Sequence, residues 1–309
     1  MAQQYLRRVS LIVGDSAGNG LDLSDLHIRF SVWSATVQTP KHANIRIYNV
    51  SDATANTIRN EFTAVFLQAG YDGSYGQIFG GTIKQMRKGR ESATDTFVDI
   101  LAADSDEAYN WAVVNTTLAA GWTQTDYHKA LLQTMASYGV KAGYTPEFSD
   151  KALPRGKVLF GMTRDNMRAL AGAAGSQWTV QDGQLHIVPT DAVMPGDAIV
   201  LTAQTGMIGI PTQTVDGIVV RSLLNPNIQP GRRLQLDNAS IQQAQFGADY
   251  TAINNYPSLD ADGFYKVYAV SQTGDTRGTN FYSEMICAAV NGTAPLTSTY
   301  TNAVVNGQP

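Results

Sequence analysis

Apolar residues recur at every second position along several stretches of the first hundred residues. In LHIRFSV, Leu26, Ile28, Phe30 and Val32 fall on one side and His27, Arg29 and Ser31 on the other, the period of a half-buried strand. ANIRIYNV alternates in the same way around Ile45 and Ile47. FTAVFLQAGYDGSYGQIFGGTIKQM reads as a strand, a glycine-rich turn and a second strand, and DTFVDILAA as another. Five or more short strands with turn signals between them predict a barrel or sandwich. One segment departs from the pattern. SDATANTIRNEF offers Ser51 and Asp52 as N-cap oxygens and spaces Ile58 and Phe62 four apart, which predicts a short helix over 51–62. A helix between strands can plug the open end of a small barrel, with Ile58 and Phe62 covering the core.

The period changes after residue 102. ADSDEAYNWAVVN begins with acidic residues, which favour a helix N-terminus. TDYHKALLQTMASYGV places Tyr127, Leu131 and Met135 four apart, extends the stripe with Ala130 and Tyr138, and offers Gly139 as a C-cap. TRDNMRALAGAAG predicts a helix with Thr163 as N-cap, Met167, Leu170 and Ala171 on one side, and an end at Gly175. QWTVQDGQLHIVP alternates Trp178 and Val180 into Asp182-Gly183 and Leu185 and Ile187 out of it, a two-residue hairpin. From residue 193 strand patterns return in DAIVLTA, DGIVVRSLL and RRLQLDN. In YKVYAVSQTGDTRGTNFYSEMICAAV, Val267, Ala269 and Ser271 alternate with Tyr268 and Val270 into a glycine-containing turn. Phe281, Ser283 and Met285 lead out with Tyr282 and Glu284. The tail NGTAPLTSTYTNAVVNGQP is small, polar and patternless, and is expected to be mobile or to dock on a neighbouring chain. The division that follows is 1–102 β, 103–192 α+β and 193–309 β, with no internal sequence repeat.

Composition narrows the function more than the fold. With 309 residues the chain can bury several cores, and a net charge of -4 leaves no basic surface for gripping nucleic acid. The lone cysteine, Cys287, excludes an intrachain disulfide framework and fits synthesis in a reducing cytoplasm. Its setting in SEMICAAV reads as a strand, hence a buried, inert thiol. The N-terminal MAQQYLRRVSLIVGDSAG has an apolar run too short for a signal peptide, and no stretch approaches a membrane span.

The inventory of chemistry-bearing groups is short. His27, His42, His128 and His186 have no paired spacing of the kind a zinc site needs, and read as surface or strand-edge imidazoles. Asp104, Asp106 and Glu107 cluster as in a calcium loop but lack its glycine and terminal glutamate, so they read as helix-start acids. Gly70, Gly73 and Gly76 lack the Gly-Lys-Ser/Thr of a phosphate loop and read as a hairpin turn. Lys84, Arg87, Lys88 and Arg90 form the one concentrated positive run. It is expected at a strand end or loop, solvated, or against an acidic partner subunit. No catalytic, cofactor-binding or metal-binding residue is assigned, and the expectation is a structural or binding protein with no cofactor.

ANIRIYNVSDATANTI, GGTIKQMRKGRESATDTFVDILAADSDEAYNWAVVNTTLAAGW and GDTRGTNFYSEMIC, in that order, resemble the baseplate hub (tail tip hub) proteins of tailed bacteriophages. The resemblance covers nearly the whole chain and rests on structural patterns, not catalytic signatures. It implies an α+β, predominantly β fold with two small antiparallel β-barrel tube domains and an intervening α+β region. It also implies a non-enzymatic homotrimer in the virion tail baseplate. Such a hub joins the tail tube or distal tail protein to a spike or tip protein, and its channel passes DNA and the tape-measure protein. Type VI secretion spike proteins share this architecture with a fused spike; no long C-terminal β-helix repeat occurs here, so a separate spike is expected. Two other classes stay open. A receptor- or carbohydrate-binding tail protein would cluster its exposed aromatics, whereas Trp33, Trp111, Trp122 and Trp178 are scattered in sequence. A hydrolase would need a site assembled only by the fold.

Overall fold

A computed structural model describes residues 6–15, 19–149, 151–244 and 258–290. The C-terminal tail over 291–309, with its expected docking role, lies outside the described residues. The fold is predominantly β with a few helices, as expected. Fourteen of the described strands belong to one sheet. Its path begins at Gly20–Asp22 and continues through Arg7–Gly14, Ala64–Tyr71, Ser74–Arg90, Thr96–Ala103, His42–Tyr48 and Ile28–Ala35. It then crosses to Phe264–Asp275, Phe281–Ala289, Gly217–Leu223, Met207–Thr214 and Gln242–Gln243. The pairing is therefore one open path, with no ladder closing either half into a ring among the described residues.

The crossing depends on the strand Phe264–Asp275. Ala269 to Asp275 pair antiparallel with Arg29 to Ala35, while Phe281–Ala289 occupies the opposite edge. Near its start, Phe264 to Lys266 also pair with Arg233–Gln235. The sequence predicts strict alternation here, and a β-bulge at Tyr268 breaks it. Val267 and Val270 consequently share one core, while Tyr268 and Ala269 pack with Ala35 and Ala288. A strand covered on both faces has no polar face to alternate with.

The apolar residues gather in three main clusters. The first joins Leu11, Phe30, Ile45, Leu67, Phe79 and Ile100, and reaches across to Leu224 and Phe281. The short helix Asp52–Glu61 covers it, capped by the Ser51 side chain accepting from the Thr54 N–H. Ala55 and Ile58 are buried in this core and Phe62 packs on its rim, so the helix does close over the sheet. The second cluster lies between the helices Gln124–Ala136 and Thr163–Ala173, the ribbon Val113–Leu118 with Lys157–Met162, and a three-stranded sheet. The third is built from Val220, Leu234, Tyr265, Met285 and Cys287 among others.

Within the second cluster the helix Gln124–Ala136 buries Tyr127, Leu131 and Met135, and a reciprocal Thr123–Asp126 capping box fixes its start. Thr163 does not act as the expected N-cap. It is the first helical residue after Met162, is wholly buried, and shares a hydroxyl hydrogen bond of 2.7 Å with Thr134, which ties the two helices together. The strands Ser176–Gln181 and Gln184–Pro189 pair around Asp182 and Gly183, both at positive φ (51° and 71°), the conformation of a primed turn. A Cβ at Gly183 would meet nothing within 4 Å, so the glycine is needed for its backbone conformation alone. Gly183→Val is expected to lower stability by about 1 kcal/mol or more, because β-branched residues disfavour positive φ. Chemical denaturation checks this, and an unchanged midpoint would remove the turn from the account.

Candidate assembly surfaces and junctions

The exposed face of the continuous sheet carries a row of charge that crosses five strands in register. Asp275 lies opposite Arg29, Arg29 opposite Arg46, Arg46 opposite Asp99, and Asp99 opposite Arg87. Both carboxylates are almost buried beneath the arginines. Asp99 accepts from Arg46 Nε at 2.7 Å and from Arg87 Nη2 at 2.7 Å. Asp275 accepts from Arg29 Nε and His27 Nε2, each at 2.8 Å, and from the backbone N–H groups of Arg277 and Gly278. Burial acts to raise the Asp275 pKa, but these hydrogen bonds outweigh it and bring the group down to about 2. The same opposition, with Arg46 and Arg87 prevailing, lowers Asp99.

Arg29 and Arg46 are like charges placed directly opposite, normally an unfavourable pair. Glu91, from the turn after Ser74–Arg90, lies 3.4 Å from Arg29 and 3.8 Å from Arg46, and Arg29 donates to the Tyr48 hydroxyl at 2.5 Å. A polar cleft of about 560 Å³ follows this row, lined by Arg29, Asn44, Arg46, Asp99, Asp275 and Asn280 among others. Its charges are already compensated within the chain.

The basic run takes part in the same kind of pairing. Its residues lie at the end of the long strand Ser74–Arg90 and are exposed, as the strand-end reading expects. Lys84 pairs with Asp106, Arg87 with Asp99, Lys88 with Asp52, and Arg90 donates to the Ala93 carbonyl. The run looked like a free patch because its carboxylate partners lie 12 to 36 residues away.

Two clasps fasten the α+β portion to the sheet. At the hairpin turn, the Lys41 ammonium meets Asp182 at 2.8 Å, and the Gly183 N–H donates to Asp104 at 3.2 Å. The Asp104 N–H in turn donates to the Lys41 carbonyl. Asp104 is therefore more than a helix-start acid: it is buried at this junction, and burial raises its pKa. Asp106 does begin the helix Asp106–Trp111, with Glu107 in its first turn. Thr179 donates to the Ala35 carbonyl and Thr36 to Gln177, both at 3.0 Å, which continues the junction along the hairpin. At the far end of the hairpin, Lys266 of the crossing strand donates to the Pro189 carbonyl at 2.5 Å. Its side chain is wholly buried.

The remaining candidates resolve individually. The four histidines have separate settings: His27 pairs with Asp275, His42 at the start of its strand stacks on Trp33, His186 accepts from the Tyr144 N–H, and only His128, beside Phe148, is fully buried. Burial lowers the pKa of His42, His128 and His186. No group of three or more potential metal-binding side chains occurs among the described residues. Cys287 is buried in its strand, and burial pushes its thiol upward. Gly73 turns the Ala64–Tyr71/Ser74–Arg90 hairpin, flanked by Gly70 and Gly76 on the two strands. Trp178 is buried against Tyr109, whereas Trp111 is exposed. No described helix is long and apolar enough to cross a membrane.

No protein-family model and no curated protein matches the sequence. Solved structures share the fold. The 43 kDa tail protein of prophage MuSo2 from Shewanella oneidensis superposes with a TM-score of 0.59 at 8% identity, over 93% of this chain and 99% of that one. A tail protein from Neisseria meningitidis MC58 gives 0.58 at 11% identity, over 92% and 96%. An E. coli type VI secretion component described as similar to the T4 tail proteins gp27 and gp5 gives 0.50 at 10% identity, over 94% and 79%. The chain thus has the fold of phage tail proteins, and these fold relatives are tail and secretion-system components rather than enzymes.

The buried clasp makes a pH prediction. Burial depresses the Lys266 pKa from 10.5 to about 8, with Asp191 opposing the shift. Between those values the unfolded chain binds the additional proton, so this group's contribution to stability rises with pH. Lys266→Met lacks that contribution. The denaturation midpoint of the wild type should therefore rise relative to the variant from pH 8 to pH 10; a constant difference across that range would contradict the burial of the charge.

Proposed function

We infer that the protein is a structural component of a phage tail, acting as a baseplate hub that connects and aligns its neighbours. The observation that carries this reading is the end-to-end match to two tail proteins, which spans 99% and 96% of their lengths. Three portions, 1–102, 103–192 and 193–309, act as two tube-forming β domains and an α+β domain between them. The two β portions complete barrels within an assembled homotrimer, giving six β domains around a sixfold tail tube.

In this role one face meets the tail tube or distal tail protein, the other meets a spike or tip protein, and the central channel passes DNA and the tape-measure protein. Two properties favour it. The sheet runs unbroken between the β portions, so a displacement of one is transmitted to the other. The net charge of -4 and the internally compensated charge row disfavour tight phosphate binding, which would stall passage. The protein works in the virion after synthesis in the host cytoplasm, without a cofactor, specific nucleic-acid binding or a membrane span.

Phage particles produced without this protein test the reading. They should lack a completed tail tip and fail to infect. Tails that form normally and lose only attachment to cells would instead identify a receptor- or carbohydrate-binding protein.

A further inference from the structure

A polar cleft of about 310 Å³ lies between the hairpin of Ser176–Gln181 and Gln184–Pro189 and the chain around Met194, Pro195 and Arg232. The Met194 N–H donates to the Gly231 carbonyl, which holds the last two segments together. The cleft is lined by polar groups that the fold leaves unsatisfied. Gln181 is only 5% exposed, yet its amide Nε2 makes no hydrogen bond among the described residues. Arg232 donates from Nη1 to the Pro195 carbonyl at 3.2 Å, while its Nε is buried without a partner. No carboxylate pairs with Arg232 among the described residues. Asp182, which also lines the cleft, already faces the Lys41 ammonium at 2.8 Å.

His186 supplies a third donor. Gly143 lies against its ring, where a Cβ would meet Nδ1 and Cε1 at 2.7 Å, so a glycine is needed for the backbone to come this close. The Tyr144 N–H then donates to His186 Nδ1 at 2.9 Å. An accepting Nδ1 places the ring proton on Nε2, and burial, which lowers the His186 pKa, favours that neutral form. The ring thus offers its Nε2–H to the cleft it lines.

We propose that this cleft binds a small monocarboxylic acid, its carboxylate held by Arg232, the Gln181 amide and the His186 Nε2–H. Hydrogen-bond polarity and charge select the class. All three groups donate, whereas an ionised carboxylate only accepts, and its two oxygens match the guanidinium fork. One guanidinium without a counter-charge calls for one negative charge. A phosphate dianion would bring a second, in a cleft that Asp182 also lines. Volume limits the rest of the molecule. A cleft of about 310 Å³ is at the small end of ligand sites and suits a short-chain acid whose carbons pack on Met194 and Pro195. The bound acid would join the hairpin of the α+β portion to the loops of the C-terminal β portion, and so stabilise their junction.

Isothermal titration calorimetry of the full chain with butyrate, and with butyramide as its uncharged counterpart, tests the site. Butyrate should bind and raise the thermal midpoint as its concentration increases, and butyramide should do neither. Arg232→Gln removes the charge and Gln181→Leu the unpartnered amide; each should weaken butyrate at least about tenfold. Without ligand, Gln181→Leu should keep or raise the thermal midpoint, because an unsatisfied buried donor is lost, so weaker binding by that variant would not reflect misfolding. Equal binding of acid and amide, tighter binding of inorganic phosphate than of butyrate, or unchanged affinity in both variants would overturn the proposal. So would the absence of binding by acetate, butyrate and hexanoate alike. None of these outcomes bears on the connector reading, which falls only if tails form normally without the protein.

Discussion

The strand Phe264–Asp275 is paired along both edges, and the arrangement of the whole sheet follows from that constraint. One edge holds its hairpin partner Phe281–Ala289, and the other holds Ile28–Ala35, more than two hundred residues earlier in the chain. Removing this pairing would divide the path into two sheets, held together by the shared first core and by contacts such as the Tyr71 hydroxyl donating to the Phe281 carbonyl. The long connection makes it costly in loop entropy and slow to form, since distant contacts must be closed before they are rewarded. Lys266 on the same strand also reaches the end of the Ser176–Pro189 hairpin, so one element contacts all three main portions of the fold.

Polar groups determine how these pieces register, while apolar groups supply most of the burial. The inward residues Phe30, Ile45 and Ile100 would tolerate a two-residue slip, because apolar contacts have little directionality. The outward row would not. Asp275, Arg29, Arg46, Asp99 and Arg87 meet in register, and a slip would strand two nearly buried carboxylates without their guanidinium partners. A nearly buried carboxylate left without its partners carries an uncompensated desolvation cost, larger than the value of a fully exposed salt bridge. Lys41, Asp104 and Asp182 play the same part at the hairpin junction, where a local turn and a distant strand end must meet in one geometry.

Local structure was legible in the sequence where chemistry and contact are close together. Ser51 with Ile58 and Phe62, the Asp182-Gly183 turn, and the Tyr127, Leu131 and Met135 stripe each encode a short-range geometry that the fold realises. Long-range partners were not legible. His128 is hidden by Phe148 and the surrounding core, Asp104 by the hairpin turn, and the basic run's partners lie on other elements. Met207–Thr214 carries no clean strand pattern because Gly209 and Pro211 interrupt it, where the structure places an irregularity in the pairing with Gly217–Leu223.

The proposed connector role needs rigidity and a surface that does not retain passing polymer, and both requirements correspond to physical features of this chain. Rigidity comes from the unbroken sheet and its two clasps, and the non-retaining surface from charges satisfied internally. Electron cryo-microscopy of intact tails tests this account most directly, because it locates the chain in the particle. The account predicts density for three copies around the tail axis at the end of the tube, with the α+β portion held against the sheet. Density confined to peripheral fibres, away from the axis, would contradict it.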